Sequence, residues 1–125
     1  MTVVYDAGAL VAADRSDREV WADHRARLEL GVVPVSTAPV VAQVSRSGRQ
    51  AQLRRFLRGC EIVAFGSGEA HEVGTLAGSS GVADVVDVHI VVVAARRGFG
   101  VVTSDPNDLT PIVEALIHGI PIFRV

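Results

Sequence analysis

Residues 81–109, GVADVVDVHIVVVAARRGFGVVTSDPNDL, constrain this chain more than any other stretch. Asp84 and Asp87 open it, and the apolar spacing that follows predicts a helix over 85–97. Gly98 and Gly100 then make a tight turn into a short, uncharged, Val-rich strand at 101–103. A second acidic cluster, Asp105 and Asp108, follows directly. A helix feeding a buried strand that leads at once into another helix start is the repeating unit of a parallel sheet. The beginning of the chain has the same grammar: Thr2–Tyr5 reads as a strand, and Asp6 ends it. Carboxylates far apart in sequence thus stand at the ends of apolar elements.

The remaining segments continue the alternation. Asp6 opens a short helix, where a carboxylate suits the free N–H groups of the first turn. Ser16 or Asp17 caps a helix over about 17–30. Its apolar face is thin, so it is expected on the surface, with Trp21 packing and His24 exposed. Residues 32–36 form a second strand with Pro34 limiting its pairing. Thr37 caps a helix with Pro39 in its first turn. Gly48 breaks that helix, and 49–58 form another. Residues 60–65 make a third strand, and 69–76 a helix whose glycine- and serine-rich end predicts a mobile segment near 77–82. Asp84 is a helix N-cap with Asp87 at the third position; the helix is expected to bury Val88, Val91, Val92 and Ala95, with His89 facing solvent. Asp105 caps a helix with Pro106 in first position, and 121–125 are a last strand. Five strands alternating with helices imply an α/β fold around a five-stranded parallel sheet.

A chain of 125 residues suffices for one domain with one core, so 1–125 is read as a single domain. The hydrophobic content, 49%, is dominated by Val and Ala, which suits a buried parallel sheet covered by helices. No apolar run approaches the roughly 18 residues of a membrane span. No basic leader is visible either, so a cytoplasmic protein is expected. Cys60 is alone, which excludes a disulfide framework and a cysteine zinc site.

Charge is unevenly spread. All twelve basic residues are Arg. Arg46, Arg49, Arg54, Arg55 and Arg58 fall in a stretch without acids, whereas residues 61–114 hold eight acids against Arg96 and Arg97. A basic face beside an acidic centre is compatible with an RNA backbone meeting a metal site. On charge alone, a solvated helix face explains the basic run better.

In open parallel sheets, ligands bind beyond the carboxyl ends of the strands, where strand order switches. If the first and fourth strands are neighbours there, Asp6, Ser104 and Asp105 share a crevice, and Asp87 points into it. Two unit charges about 4 Å apart repel by roughly 4 kcal/mol at an effective dielectric near 20. Several clustered carboxylates therefore require a cation or raised pKa values. An all-oxygen set suits Mg²⁺ or Mn²⁺, which activates water and stabilises charge in phosphodiester displacement. Thr103 and Ser104 are placed to donate hydrogen bonds to a ligating carboxylate or a phosphate. Helix capping explains each acid singly; it explains their shared edge less well.

DAGAL at 6–10, APVVAQVSR at 38–46, DVVDVHIVVVAARRG at 84–98 and VVTSDPNDL at 101–109 together resemble a PIN domain of the VapC-type toxins. The resemblance spans nearly the full chain. It implies a three-layer α/β/α fold and a Mg²⁺- or Mn²⁺-dependent endoribonuclease. It also implies a homodimer held inactive by a cognate VapB-type antitoxin, with tRNA or rRNA among the family's targets. Asp6, Asp87 and Asp105 match the family's metal-binding and catalytic acids. Asp84 and Asp108 are additional candidates, and Arg46, Arg49, Arg54, Arg55 and Arg58 would hold the RNA. One position departs: the family's second acid falls at Gln43, whose neutral amide is a weaker ligand for a hard cation and cannot act as a base. An inactive RNA- or antitoxin-binding module is therefore the alternative. A receiver-like phosphoacceptor domain is disfavoured, because the chain has no Lys and its third strand ends without an Asp.

Overall fold

The computed structural model describes residues 1–125. Five strands, β1 (Val3–Tyr5), β2 (Val35–Thr37), β3 (Glu61–Val63), β4 (Gly100–Thr103) and β5 (Ile122–Arg124), form one sheet in the order β3-β2-β1-β4-β5. Every pairing is parallel. The chain steps outward from β1 to β2 to β3, then crosses back to β4 and β5. The order therefore switches between β1 and β4, where Val3, Val4 and Tyr5 face Gly100, Val101 and Val102 in register.

Right-handed crossovers on either side of that switch place their helices on opposite faces. On one face lie α1 (Ala7–Asp14), α2 (Arg18–Glu29), α3 (Ala38–Val44) and α4 (Ala51–Leu57), with α1 packed on the other three. On the other lie α5 (Ser67–Ser80), α6 (Val85–Arg97) and α7 (Pro106–Glu114), all in mutual contact. The α/β fold with a central five-stranded parallel sheet expected from the sequence is the observed one. No single helix is long and apolar enough to cross a membrane.

The central strands are buried throughout, and so is α6 from Val88 to Ala94. A helix apolar on all sides needs neighbours on all sides. Here β1 and β4 lie above α6, with α5 and α7 flanking it. Arg97 at its C-terminal end pairs with both carboxylate oxygens of Glu61, each at 2.9 Å. Glu61 begins β3, so this end of α6 lies at the edge where the strands start. The other end, with Asp84 and Asp87, therefore stands at the edge where β1 and β4 finish.

Four local expectations fail, three of them for a tertiary reason. His24 is buried, stacked on Phe56 with centroids 3.9 Å apart, and its Nδ1 lies 2.9 Å from the Tyr5 hydroxyl. Gly59 makes room, since a Cβ there would stand 2.9 Å from His24 Nε2. His89 is also fully buried, with its ring 4.4 Å from that of Phe65. The segment near 77–82 is not a break: α5 continues to Ser80, and Gly81 closes it at φ 72°. The Ser79 and Ser80 hydroxyls donate back to Leu76 and Ala77 carbonyls, and Val73 and Leu76 anchor the helix in the core. Packing outweighs the weak helix propensity of glycine. Ala95, expected to face inward, is exposed.

Candidate active site

Asp6 leaves β1 at the switch. Its backbone N–H donates to Val102 O at 3.2 Å, tying it to β4. Its Oδ1 accepts from Ala9 N at 3.0 Å, so the residue does cap α1. Capping uses only part of the carboxylate. The Thr103 hydroxyl accepts from Asp105 N at 3.0 Å and lies beside the Asp6 carboxyl, whose pKa it lowers. Thr103 thereby links the ends of the two central strands. Burial raises the Asp6 pKa above the usual carboxylate value, the Thr103 hydroxyl and the Ala9 and Gly8 N–H groups pull it back, and the Asp108 charge raises it again.

Asp87 holds the third position of α6 and is half-buried. Its pKa is pushed up to about 6. Burial is the largest cause, followed by the charges of Asp84, Asp6, Asp108 and Asp105. The charges of the other four predicted acids thus reach Asp87 across the β1–β4 edge. Neither Asp6 nor Asp87 is paired with a basic residue.

The outer acids divide by role. Asp84 caps α6, its Oδ1 accepting from Val86 N at 3.0 Å and Asp87 N at 3.3 Å. Asp105 occupies the cap position of α7 but makes no side-chain capping bond, contrary to expectation. Its own N–H is turned back to Thr103, and its exposed carboxylate stays free. Asp108, in the first turn of α7, is exposed too, as is Ser104.

The sequence reading missed Gly8. A Cβ at Gly8 would meet Ser104 Oγ at 1.9 Å and Ser104 Cβ at 2.9 Å. Only glycine lets the first turn of α1 close on the end of β4. The signal was the Gly directly inside DAGAL, but its partner lies in a distant segment. Ser36, also missed, donates to Tyr5 O at 2.9 Å and fixes the other side of β1.

Gln43 is exposed on α3 and makes no side-chain hydrogen bond. The five arginines lie on the α3–α4 side. Arg46 donates to Ala42 O and Ser45 O, Arg54 to Gly48 O, and Arg55 to Gln52. Arg49 and Arg58 are exposed, and Arg58 follows α4 toward the start of β3, the edge opposite Asp6.

The donor set at the acidic edge is entirely oxygen, which fits a hard divalent cation that retains several waters. In these side-chain positions no three His, Cys, Asp or Glu residues converge tightly enough to hold an ion directly. The edge is open; the molecule's two concavities lie elsewhere, on the α5–α7 side and between α2 and α4.

A five-stranded parallel sheet with acids gathered at its switch point, between two helical layers, is a PIN-like fold. Solved structures similar to this chain bear that out. VapBC2 from Rickettsia felis, bound to a DNA fragment from their promoter, aligns over 100% of this chain and 99% of its own at TM-score 0.74 and 16% identity. PAE2754 from Pyrobaculum aerophilum aligns over 94% and 90% at TM-score 0.66 and 18% identity. FitAB bound to the IR36 DNA fragment aligns over 98% and 94% at TM-score 0.64 and 12% identity. No family model matches the chain, and no curated protein matches it significantly in sequence.

Proposed function

We propose that this protein is a Mg²⁺- or Mn²⁺-dependent endoribonuclease, the toxin of a VapBC-type toxin–antitoxin pair. One observation carries the reading. Asp6, Asp84, Asp105 and Asp108 surround the half-buried Asp87 at the sheet's switch point, where burial first and then their charges raise its pKa, and no ion pair offsets them. Such an arrangement is unfavourable in the empty protein and favourable around a divalent cation.

Asp6, Asp87 and Asp105 would hold the ion. Asp6 is fixed by its cap and by Thr103, Asp87 by the rigid, buried α6, and Asp105 is the uncommitted carboxylate. Asp84 and Asp108 add negative charge at the rim. A bound cation supplies Lewis acidity toward a phosphoryl oxygen and lowers the pKa of water. Ser104, exposed beside Asp105, is placed to donate to a substrate phosphate. The arginines of α3 and α4 supply positive charge for an RNA backbone. The similar structures named VapBC2 and FitAB support a VapB-type antitoxin as partner, and a homodimer is the proposed assembly.

Gln43 favours a second reading, a PIN-like module that binds RNA or antitoxin without cutting. Its amide stands where the resembled family carries an acid, and it is not engaged elsewhere. The deciding experiment is cleavage of a structured RNA in Mg²⁺ or Mn²⁺, with EDTA and Asp6→Asn controls. Cleavage lost in both controls supports the nuclease. Absence of metal-dependent cleavage in both the protein and its Gln43→Glu variant, with RNA binding retained, supports the module.

A further inference from the structure

Three arginines and the chain's single tryptophan meet in a concavity of about 330 Å³ between α2 and α4. Its lining includes Arg18, Trp21, Arg25, Gln52 and Arg55, with Ser16 at the lip. Arg18, Trp21, Ala22 and Arg25 occupy positions i, i+3, i+4 and i+7 of α2, so they share one helix face. Of the acids of α2, Glu19 and Asp23 fall outside that spacing, and Glu29 continues it one turn beyond Arg25 without forming an ion pair. The opposite stripe, Val20 and His24, is the one buried in the core.

The arginines are exposed, and no carboxylate pairs with them; the ion pairs of Arg side chains involve Arg96 and Arg97 only. Three guanidinium groups in one concavity repel one another, and neither Arg18 nor Arg25 makes an ion pair in return. Trp21 is held rigidly. Its Nε1 donates to Ala13 O at 2.9 Å, and its ring meets Phe56 edge-on at 5.1 Å. Arg55 lies over that ring at 5.4 Å from its centroid and is steadied by Gln52 at 2.9 Å. Ser16 adopts φ 61°, a backbone conformation that non-glycine residues rarely take, and turns the chain at the pocket's lip.

We propose that this concavity is a binding site for the phosphodiester backbone of single-stranded nucleic acid, with one base stacked against the Trp21–Arg55 pair. Planar guanidinium forks match phosphate oxygens, and an aromatic ring capped by arginine offers a stacking plane. Gln52 and Ser16 add neutral hydrogen-bonding groups suited to a base or sugar. An acidic peptide would use the charges but leave the stacking plane idle. The site lies on a different element from the acidic edge, so it stands whether or not that edge cuts RNA.

The sole tryptophan makes the test direct. Trp21 emission is followed while a short single-stranded RNA is titrated into the protein in EDTA, which removes any cleavage. Saturable quenching is expected. The Arg18→Gln/Arg25→Gln variant, which leaves the Trp21–Arg55 contact in place, should bind at least tenfold more weakly. Its log–log salt slope should fall by about 1.4, at roughly 0.7 per lost phosphate contact. An abasic strand should bind through the arginines with less quenching, and inorganic phosphate should compete only weakly. Circular dichroism confirms that the variant is folded. Quenching absent, or affinity and salt slope unchanged in the folded variant, overturns the proposal. So does a polyglutamate peptide that outcompetes RNA, which would assign the site to acidic protein.

Discussion

A Cβ placed on Gly8 would stand 1.9 Å from the Ser104 Oγ, so the first turn of α1 and the end of β4 are in contact through the glycine. That contact sets the separation between Asp6, two residues before Gly8, and Asp105, one residue after Ser104. Gly8→Ala is therefore expected to push the β4–α7 segment outward. Overpacking of this kind costs about 1–3 kcal/mol. Thermal unfolding should report a modest loss of stability, while metal-dependent cleavage falls much further. Wild-type cleavage in a folded Gly8→Ala protein would show that Asp105 needs no such placement. Gly8→Ala/Ser104→Gly, which removes the clashing hydroxymethyl group, should recover part of the loss.

Asp6 has two tasks that substitution can separate. Asp6→Asn keeps a side-chain oxygen for Ala9 N and should leave stability nearly unchanged. Asp6→Ala loses the cap, worth about 1 kcal/mol, although the relief of a buried carboxylate offsets part of this. Both should abolish the response of the melting temperature to Mg²⁺ or Mn²⁺. If Asp6→Asn still binds the metal as wild type does, the residue is only a cap.

Asp87 makes a pH-dependent prediction. Its pKa is raised from 3.8 to about 6 in the folded protein, so folding favours its protonated form. Its stabilising contribution is complete below about pH 4 and is lost as pH rises through 6. Asp87→Asn should therefore stabilise the metal-free protein at pH 7.5 but not at pH 4. With solvent screening of this half-exposed group, the gain is on the order of 1 kcal/mol. Wild type should recover a similar amount on adding Mg²⁺ at pH 7.5, and the variant should not. Equal melting temperatures for the two proteins across this range would mean that the acids do not strain one another.

These acids were legible in the sequence because each stands at the end of an apolar run. A parallel sheet has one edge at which such ends collect, and the β1–β4 pairing places Asp6 and Asp105 just past the ends of neighbouring strands. Asp84 and Asp105 look alike in sequence, each at a helix start. Only the structure separates the one that caps from the one that does not: Asp84 accepts from the Val86 and Asp87 N–H groups, and Asp105 accepts from none in its helix. His24 and His89 were misjudged for a related reason. Their burial depends on Phe56, Tyr5 and Phe65, all from other elements, and helical spacing does not announce such partners. The glycine-rich end of α5 misled in the opposite direction, since its local weakness is overcome by Val73 and Leu76.

Gln43 tests the donor set. Gln43→Glu adds a carboxylate to the α3 face without disturbing any side-chain hydrogen bond. It should raise metal affinity and metal-dependent cleavage roughly 10–100-fold, the range by which removing a group that supports a metal site lowers them. Isothermal titration with Mn²⁺, run beside the cleavage assay, separates affinity from turnover. No change in either would place Gln43 outside the metal centre.

The buried imidazole of His89 offers the last prediction. Neither ring nitrogen has a hydrogen-bond partner, and the nearest carboxylate oxygen, Glu69 Oε1, stands 3.6 Å from Nε2. A buried polar group left unpaired costs about 1–3 kcal/mol, so His89→Leu should stabilise the protein by an amount of that order. Burial holds the His89 pKa below its usual value, the Glu69 carboxylate pulling it partly back. The unfolded chain therefore takes up a proton more readily than the folded one. The stability gained by keeping His89 neutral is present above about pH 6.5 and is lost as the pH falls. Accordingly, the advantage of His89→Leu should be larger at pH 5 than at pH 7.5, measured as the difference in denaturant midpoint. A variant less stable than wild type at both pH values would mean that His89 makes a hydrogen bond after all, through rotation toward Glu69. In that case the residue works as a buried tie between α5 and α6.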